Sequence, residues 1–441
     1  MAEYPDADRT AVATQVRRRA QAADVADRML TKRWLVRSFA LLHGASLLAL
    51  LPVILAGGTV GDLPLYREWA MEAFEGGPIV GIDADWVYPL LAWLPIGGSN
   101  LLGAALYQLL WFLMTAALNW WAVWVLSEGG RSRRGMLAAY TFMLGFLLLS
   151  PVALLRLEGI TGPLVIVGLV WLSRRPLVAG TLLAVATWIK VWPAMVIGAV
   201  VAVHRERWLV VLAGLGVTVA TAAVSAANGG LPHLLSFLTT QTDRALQLEA
   251  PIATPWVWLA ALDVLGARVY QNRALATREV VGPLDGGAIL LSTPLLLAGV
   301  AAICVLLLWA RRRGADVHDL LLVGAFALVA ASIVFNKVGS PQYLLWLLPV
   351  AAVAMLRPTA WWRRMTALLL VTSLLTTLVF PIFYMPLVRL EWFAVMLLSV
   401  RNALLVALLI AAVARIVQLG RDGLVAPPAR VGTSTQPLAV V

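Results

Sequence analysis

The sequence predicts an all-α polytopic membrane protein, with about twelve transmembrane helices and further amphipathic helices on its outer surface. Hydrophobic residues make up 61% of the 441-residue chain and charged residues only 13%. In a typical soluble domain, about 45–50% of the residues are apolar and about 25% are charged. The apolar residues gather in runs of about 17–25 residues, the length that crosses a bilayer as a helix. The basic residues gather between these runs.

The apolar runs define the path of the chain. The predicted transmembrane segments are 36–56, 101–126, 137–154, 161–173, 177–189, 192–203, 208–226, 288–310, 320–335, 343–356, 365–380 and 393–417. Segments 177–189 and 192–203 are each too short to cross the bilayer at a rise of about 1.5 Å per residue. Since both are flanked by basic residues, we expect an up-and-down pair that meets near Lys190, beneath the outer surface.

The net charge of +11 raises the question of nucleic-acid binding, but the position of the charges excludes it. By the positive-inside rule, the clustered basic residues between the spans mark the cytoplasmic side. The clusters are Arg131, Arg133 and Arg134; Arg174 and Arg175; Arg205 and Arg207; Arg311, Arg312 and Arg313; and Arg357, Arg363 and Arg364. We therefore expect a multi-pass protein of the plasma (cytoplasmic) membrane that has the lipid bilayer, and no nucleic acid, as its partner.

This topology divides the chain into three parts. Residues 1–35 are a cytoplasmic polar arm without the features of a cleaved signal peptide. Residues 36–417 are the transmembrane domain, with long outer loops at 57–85 and 227–285. Residues 418–441 are a cytoplasmic tail for which we expect disorder. The single cysteine, Cys304, lies within an apolar run and is expected to be a packed thiol.

Both outer loops contain helical patterns. In 63–76, the apolar Leu65, Trp69, Ala73 and Phe74 share one helical face, as in a helix that lies on a membrane surface. In 234–249, four polar residues recur at helical spacing and form one stripe. They are Thr240, Asp243, Arg244 and Gln247. For each segment the alternative is an interfacial helix that only covers the bundle.

Asp62 is the first candidate for chemistry, since a carboxylate just beyond the first span can act as a general base. The alternative is that it caps the surface helix. The chain has only three lysines, and two of them, Lys190 and Lys337, fall in the outer half of the membrane. An ammonium group suits a phosphate ligand, whereas the alternative is that each lysine extends to the interface.

Further polar residues lie on the same predicted side. Arg156 and Glu158 occupy another outer turn, where they either bind a ligand or pair with each other. Gln241, Arg244, Gln247 and Glu249 offer groups suited to sugar hydroxyls. The sequence has no phosphate-binding P-loop, no His/Cys zinc cluster and no recognisable Ser-His-Asp arrangement. Asp83 and Asp85 are interpreted as solvated surface, so we expect neither a metal nor a cofactor.

Several short motifs resemble those of glycosyltransferase family 87, the polyprenol-phosphate-mannose-dependent α-mannosyltransferases of the GT-C fold. The similar stretches are Gly61-Asp62-Leu63-Pro64-Leu65-Tyr66, Tyr88-Pro89-Leu90, Trp188-Ile189-Lys190-Val191-Trp192-Pro193, residues 241–249, and Ser340-Pro341-Gln342-Tyr343 with Trp346 and Pro349. The likeness extends over most of residues 36–416. Two features differ. The family has Tyr-Pro-Pro where this chain has Tyr88-Pro89-Leu90. Some members of the family also use a histidine late in the chain on the outer face, whereas this chain has no histidine near 337–343.

The resemblance implies a GT-C-type bundle with Asp62 as the catalytic base of an inverting, metal-independent transfer. The donor would be a polyprenyl-phosphate-linked sugar, mannose in that family, and the acceptor a glycolipid or glycan of the cell envelope. The cavity would open to the outer leaflet. Together with the residues themselves, the resemblance gives the expected substrate-binding set: Tyr66, Arg67, Arg156, Glu158, Lys190, Gln241, Arg244, Gln247, Glu249, Lys337, Ser340, Gln342 and Tyr343.

A polytopic transporter or lipid flippase is the main alternative, because many helices and a broken segment are typical of that class as well. Transporters commonly show internal repeats and ionisable residues at the bilayer midplane. This sequence has no recognisable repeat, and its polar residues gather at one predicted face. A non-catalytic membrane scaffold is a third interpretation, but it leaves the concentration of polar groups unexplained.

Overall fold

The structure, a computed structural model, describes residues 30–240, 244–273 and 277–423. The first half of this part is helical. Its helices are α1 (Lys32–Leu55), α2 (Leu63–Phe74), α3 (Trp93–Gly98), α4 (Tyr107–Leu126), α5 (Arg133–Leu148), α6 (Val152–Leu155), α7 (Glu158–Trp171), α8 (Pro176–Ile189), α9 (Pro193–Val203), α10 (Arg207–Ala227) and α11 (Ser236–Thr239). Short 3₁₀ helices cover Leu90–Ala92, Ala104–Leu106 and Leu231–His233.

The second half adds a small sheet and the remaining helices. They are β1 (Leu246–Gln247), α12 (Thr254–Ala261), β2 (Arg268–Asn272), β3 (Thr277–Val281), α13 (Asp285–Arg312), α14 (Val317–Val334), α15 (Leu344–Ala354), α16 (Ala360–Thr377), α17 (Tyr384–Val388) and α18 (Trp392–Asp422). Pro251–Ala253 and Pro341–Tyr343 are 3₁₀ helices, and Leu378–Ile382 is a π-helical turn.

Seven helices of the described residues are long and apolar enough to cross a membrane. These spans are Lys32–Leu55, Ala104–Leu126, Arg207–Ala227, Asp285–Arg312, Val317–Val334, Ala360–Ile382 and Trp392–Asp422. The prediction of an all-α membrane protein is thereby confirmed, whereas the number of twelve spans is not. Every predicted segment contains a helix, but α5, α7, α8, α9 and α15 have only 11 to 16 residues.

The most enclosed span is α14, which packs against α9, α13, α15 and α18. Every residue from Leu320 to Val334 is buried, and 83% of the 18 residues of the helix lie inside the protein. A helix that is apolar on all sides is expected at such a position. α18 extends to Asp422, five residues beyond the predicted end of the transmembrane domain.

The outer segment between α10 and α13 differs from the prediction. The helix expected over 234–249 is wrong: α11 covers only Ser236–Thr239, and Gln247 lies in strand β1. The strand forms because β1 pairs with β3 in an antiparallel sheet of order β1-β3-β2. Leu246, Leu248 and Val280 then join a small second core with residues of α12 and α18. Tertiary pairing has therefore overridden the helical spacing of the polar residues.

The helix predicted over 63–76 is present as α2, and its position on a membrane surface stays a prediction. Its packed face is Leu63, Tyr66 and Ala70, all fully buried. The predicted apolar face lies beside it, and its Leu65 and Phe74 remain 46% and 57% exposed. The two short pieces 177–189 and 192–203 are likewise confirmed as separate helices, α8 and α9, joined at Lys190.

Candidate active site

Asp62 forms an ion pair with Arg156. Asp62 precedes α2, but its side chain makes no capping hydrogen bond, so the capping alternative is not supported. Gly61 has a φ of +71°, and a Cβ there would lie 3.0 Å from Leu155 Cβ. This close approach, which favours glycine, brings the loop against the end of α6. Arg156 follows at once, and its Nη2 lies 2.9 Å from Asp62 Oδ1.

A second ion pair joins Lys190 to Glu158. Lys190 ends α8 in extended backbone, and its Nζ lies 3.1 Å from Oε1 of Glu158, the first residue of α7. The Glu158 side chain is only 1% exposed, and Trp346 Nε1 donates to the same oxygen over 3.4 Å. The expected alternative that Arg156 and Glu158 simply pair with each other is wrong, since each has a different partner. Lys190 is thus fixed to the interior, and its position does not depend on Asp62.

Aromatic rings surround the two ion pairs. Lys190 Nζ lies 4.6 Å from the centroid of the Tyr88 ring, a cation–π contact. Tyr88 also places its hydroxyl 3.2 Å from that of Tyr66, which is fully buried. On the other side, Trp346 stacks with Trp192, and Tyr343 lies 4.0 Å from Trp346 between ring centroids. These rings hold the charged groups in place and limit the water around them.

The late segment 336–343 connects this site to the small sheet. Arg156 Nη1 donates to Ser340 Oγ over 3.4 Å, and Ser340 Oγ donates in turn to Gln342. Gln247 binds the segment twice: its backbone N–H donates to Lys337 O over 3.0 Å, and its Oε1 accepts from Gly339 N over 3.2 Å. Gly339 packs so closely that a Cβ would lie 2.2 Å from the Ala250 nitrogen. Lys337 itself is 8% exposed.

Burial governs the electrostatics of Asp62. It raises the pKa of the carboxyl above its usual range, and this effect is larger than the opposing effects of Arg156 and Lys190. Glu158 raises the pKa further, while a hydrogen bond from Tyr66 lowers it. A carboxylate with a raised pKa is a stronger base than one in water. Asp62 nevertheless remains 26% exposed, so a ligand can reach it.

The site carries an excess of positive charge. Arg244 is half-buried and interacts electrostatically with Tyr343, as Lys190 does. Within the described part of the chain, Arg244 Nε is buried without a hydrogen-bond partner. Arg156 and Lys190 pair with Asp62 and Glu158, and Arg244, beside Tyr343, adds a third cation to this region. The remaining positive charge and the unused donor suit an anionic ligand.

Not every predicted site residue belongs to this cluster. Arg67 donates to Gly57 O over 2.8 Å and so ties α2 to the end of α1. Glu249 is paired with Arg401 of α18 at 3.4 Å, with exposures of 7% and 1%. Burial raises the Glu249 pKa, and Arg401 and then Arg156 oppose this. Tyr66 and Glu158 belong to the cluster but are buried, whereas Gln241 lies outside the described residues.

Four residues of this region were not predicted as site residues: Tyr88, Trp192, Trp346 and Arg401. Tyr88 and Trp346 lie in the motifs quoted above, but a ring that supports a charge leaves no distinct sequence signal. Arg401 did leave one, because an arginine within the apolar run 393–417 is costly in lipid and marks a partner or cavity. No group of three or more His, Cys, Asp or Glu that could hold a metal ion occurs in the residues searched, which are the described ones.

The chain was also compared with known proteins. No family model, no curated protein and no solved structure matches it. The class defined by fold and site is therefore an all-α membrane protein with a partly exposed carboxylate in a cationic, aromatic-lined cluster.

Proposed function

We propose that the protein is an inverting membrane glycosyltransferase that moves a sugar from a polyprenyl-phosphate carrier to an acceptor hydroxyl, with Asp62 as the general base. The observation that carries the proposal is the cluster of Asp62 with Arg156, Lys190 and Arg244. A base and an anion-binding group are what this transfer requires within one site. Mannose as the sugar, and a glycolipid or glycan as acceptor, rest on the sequence resemblance.

In the proposed reaction, Asp62 takes the proton of the acceptor hydroxyl while the acceptor oxygen attacks the anomeric carbon. The bond from that carbon to the phosphate oxygen breaks, and its electron pair leaves with the polyprenyl phosphate. The proton ends on Asp62, the new glycosidic bond inverts the configuration, and the leaving phosphate gains one negative charge. Lys190 and Arg244 stabilise that charge, which preorganised cations do well where water is limited.

The membrane setting supports the same assignment. A polyprenyl tail is soluble only in the hydrocarbon phase, so the headgroup must react close to a membrane surface. The candidate site lies in the connections of short helices, at the junctions α6–α7 and α8–α9, and not in the middle of a long span. The distribution of arginines supports a position of this side opposite the cytoplasm. We therefore assign the active site to the outward face of the plasma membrane.

The test is transfer by purified protein in liposomes, with labelled polyprenyl-phosphate sugars and extracted membrane lipids. Asp62→Asn should reduce product formation by about 10²- to 10⁴-fold, the usual contribution of a general base. Glu68→Gln is the matched control, because Glu68 is an exposed carboxylate on α2; it should leave the rate unchanged. Full activity of well-folded Asp62→Asn protein would refute the role of Asp62.

The same liposomes separate the enzyme from the transporter or flippase interpretation. An enzyme consumes the donor and forms a new glycoside on one side of the membrane. A flippase moves the labelled carrier between leaflets and leaves it chemically intact. Movement of the carrier without any product would overturn the proposed function.

A further inference from the structure

The two ion pairs of the site hold their cations in different ways. Lys190 forms an ion pair with the Glu158 carboxylate, which is 1% exposed and also accepts a hydrogen bond from Trp346. Arg156 is bonded to Asp62, whose side chain is 26% exposed, and is itself 17% exposed. A ligand that enters the site can therefore compete for Arg156 but not readily for the contact between Lys190 and Glu158.

The remaining attachment of Arg156 is weak. Its backbone is extended and lies between α6 and α7, so no helix restrains it. Its second partner, Ser340 Oγ, is 3.4 Å away, at the long end of the hydrogen-bond range. The Ser340 hydroxyl donates its own hydrogen bond to Gln342 Oε1. Small rotations of the side chain can therefore redirect the guanidinium within the site.

The pairing also opposes the chemistry proposed for Asp62. A general base must present a lone pair to the acceptor hydroxyl. In this structure Arg156 Nη2 forms an ion pair with Asp62 Oδ1 at 2.9 Å, so the cation lies against that oxygen and weakens its basicity. A phosphate group offers Arg156 a better partner, because guanidinium binds phosphate with two parallel hydrogen bonds.

We propose that Arg156 is a latch on Asp62 that the phosphate of the donor opens. The phosphate draws the guanidinium away from the carboxylate, and Asp62 becomes free to accept a proton only when the donor is in place. This inference rests on the proposed function and adds an order of events, with donor before activated acceptor. Arg156 therefore has a positioning role towards Asp62 as well as a direct contact to the phosphate.

Infrared difference spectroscopy tests the latch without any turnover. The carboxylate band of Asp62 is identified as the one that Asp62→Asn removes. Adding a polyprenyl phosphate to the wild-type protein should shift that band, because the carboxylate loses its guanidinium partner. A polyprenol of the same length, which lacks the phosphate, should leave the band in place.

Three variants assign the shift to Arg156. In Arg156→Gln the band should already lie at its shifted position without ligand, and polyprenyl phosphate should move it little. Arg156→Lys should restore the dependence on ligand, which a merely structural defect would not do. Arg205→Gln removes an exposed cation that pairs with Glu206 and not with Asp62, and it should behave as the wild type does.

The inference is overturned if polyprenyl phosphate binds, as seen by its own phosphate bands, while the Asp62 band stays unchanged. It is also overturned if ligand-free Arg156→Gln and wild-type protein give the same Asp62 band. Failure of the proposed function looks different, since the band would shift on binding while no sugar is transferred. Absence of any binding would count against both.

Discussion

The pairs Asp62–Arg156 and Glu158–Lys190 have the same chemistry in two different surroundings. The first lies partly exposed between a loop and an irregular turn; the second has a carboxylate that is 1% exposed, with Trp346 and the Tyr88 ring around it. The partly exposed pair is suited to a reaction, and the enclosed pair is suited to structural support. An accessible carboxylate can exchange protons and partners, whereas an enclosed carboxylate can only hold its cation in position.

The largest expected effect is on folding stability, and it concerns the enclosed pair. Glu158→Gln leaves the Lys190 ammonium in the interior without a counter-charge. Removing one partner of a buried pair lowers stability by about 3–5 kcal/mol. Since Lys190 is 16% exposed, we expect the lower end, about 3 kcal/mol. Thermal and denaturant unfolding in one detergent gives the value. An equally large loss in Asp62→Asn would break the distinction between the two pairs.

A double variant separates the two roles of Lys190. Glu158→Leu combined with Lys190→Met replaces the ion pair by apolar side chains, a change that is often neutral for buried pairs. We expect stability to return to within about 1 kcal/mol of the wild type. Transfer activity should stay lost, because no cation remains there for the leaving phosphate. Recovered activity in the double variant would assign Lys190 a purely structural role.

The exposed pair gives a smaller effect that depends on pH. The folded-state pKa of Asp62 is raised, so its contribution to stability is full below its unfolded pKa, about 4, and is lost as pH rises through the folded value. At neutral pH the ionised carboxylate therefore lowers stability. We expect Asp62→Asn to unfold at a slightly higher temperature than the wild type near pH 7, with the difference vanishing as pH falls towards 4. A less stable variant at pH 7 would contradict the raised pKa.

The sequence predicted the helices well but not the pairing between their ends. Runs of apolar residues and a lysine between two short helices are local signals, so α8, α9 and the position of Lys190 could be anticipated. The partner of Arg156 depends on how closely Gly61 packs against Leu155, a contact between segments more than 90 residues apart. Glu158, two residues downstream, was the only partner for Arg156 that the local sequence suggested, and that alternative was wrong.

The small sheet was not predicted, for a related reason. Arg244 and Gln247 have helical spacing, yet Gln247 pairs with Glu279 across β1 and β3 and binds the backbone at Lys337 and Gly339. Each of these partners is distant in sequence, and together they outweigh a weak local preference. Asp62 and Lys190 could be singled out from the sequence because an ionisable residue beside an apolar run is a local signal.

The smallest expected effect concerns Tyr66, the aromatic residue whose hydroxyl lowers the pKa of Asp62. Tyr66→Phe removes the hydroxyl that lies 3.2 Å from the Tyr88 hydroxyl and that lowers the Asp62 pKa. Stability should fall by about 1 kcal/mol, as for one neutral hydrogen bond. The acid limb of the pH–rate profile should move to higher pH, since Asp62 then binds its proton more tightly.

Tyr107→Phe is the matched control for this variant. Tyr107 is also fully buried, and its hydroxyl donates to Ile96 O over 3.1 Å, but it makes no contact with Asp62 among the described residues. It should show a similar loss of stability and an unchanged pH profile. If both variants shift the acid limb equally, the change reflects loosened packing of the helices. If only Tyr66→Phe shifts it, the enclosed aromatic residues tune the exposed carboxylate directly.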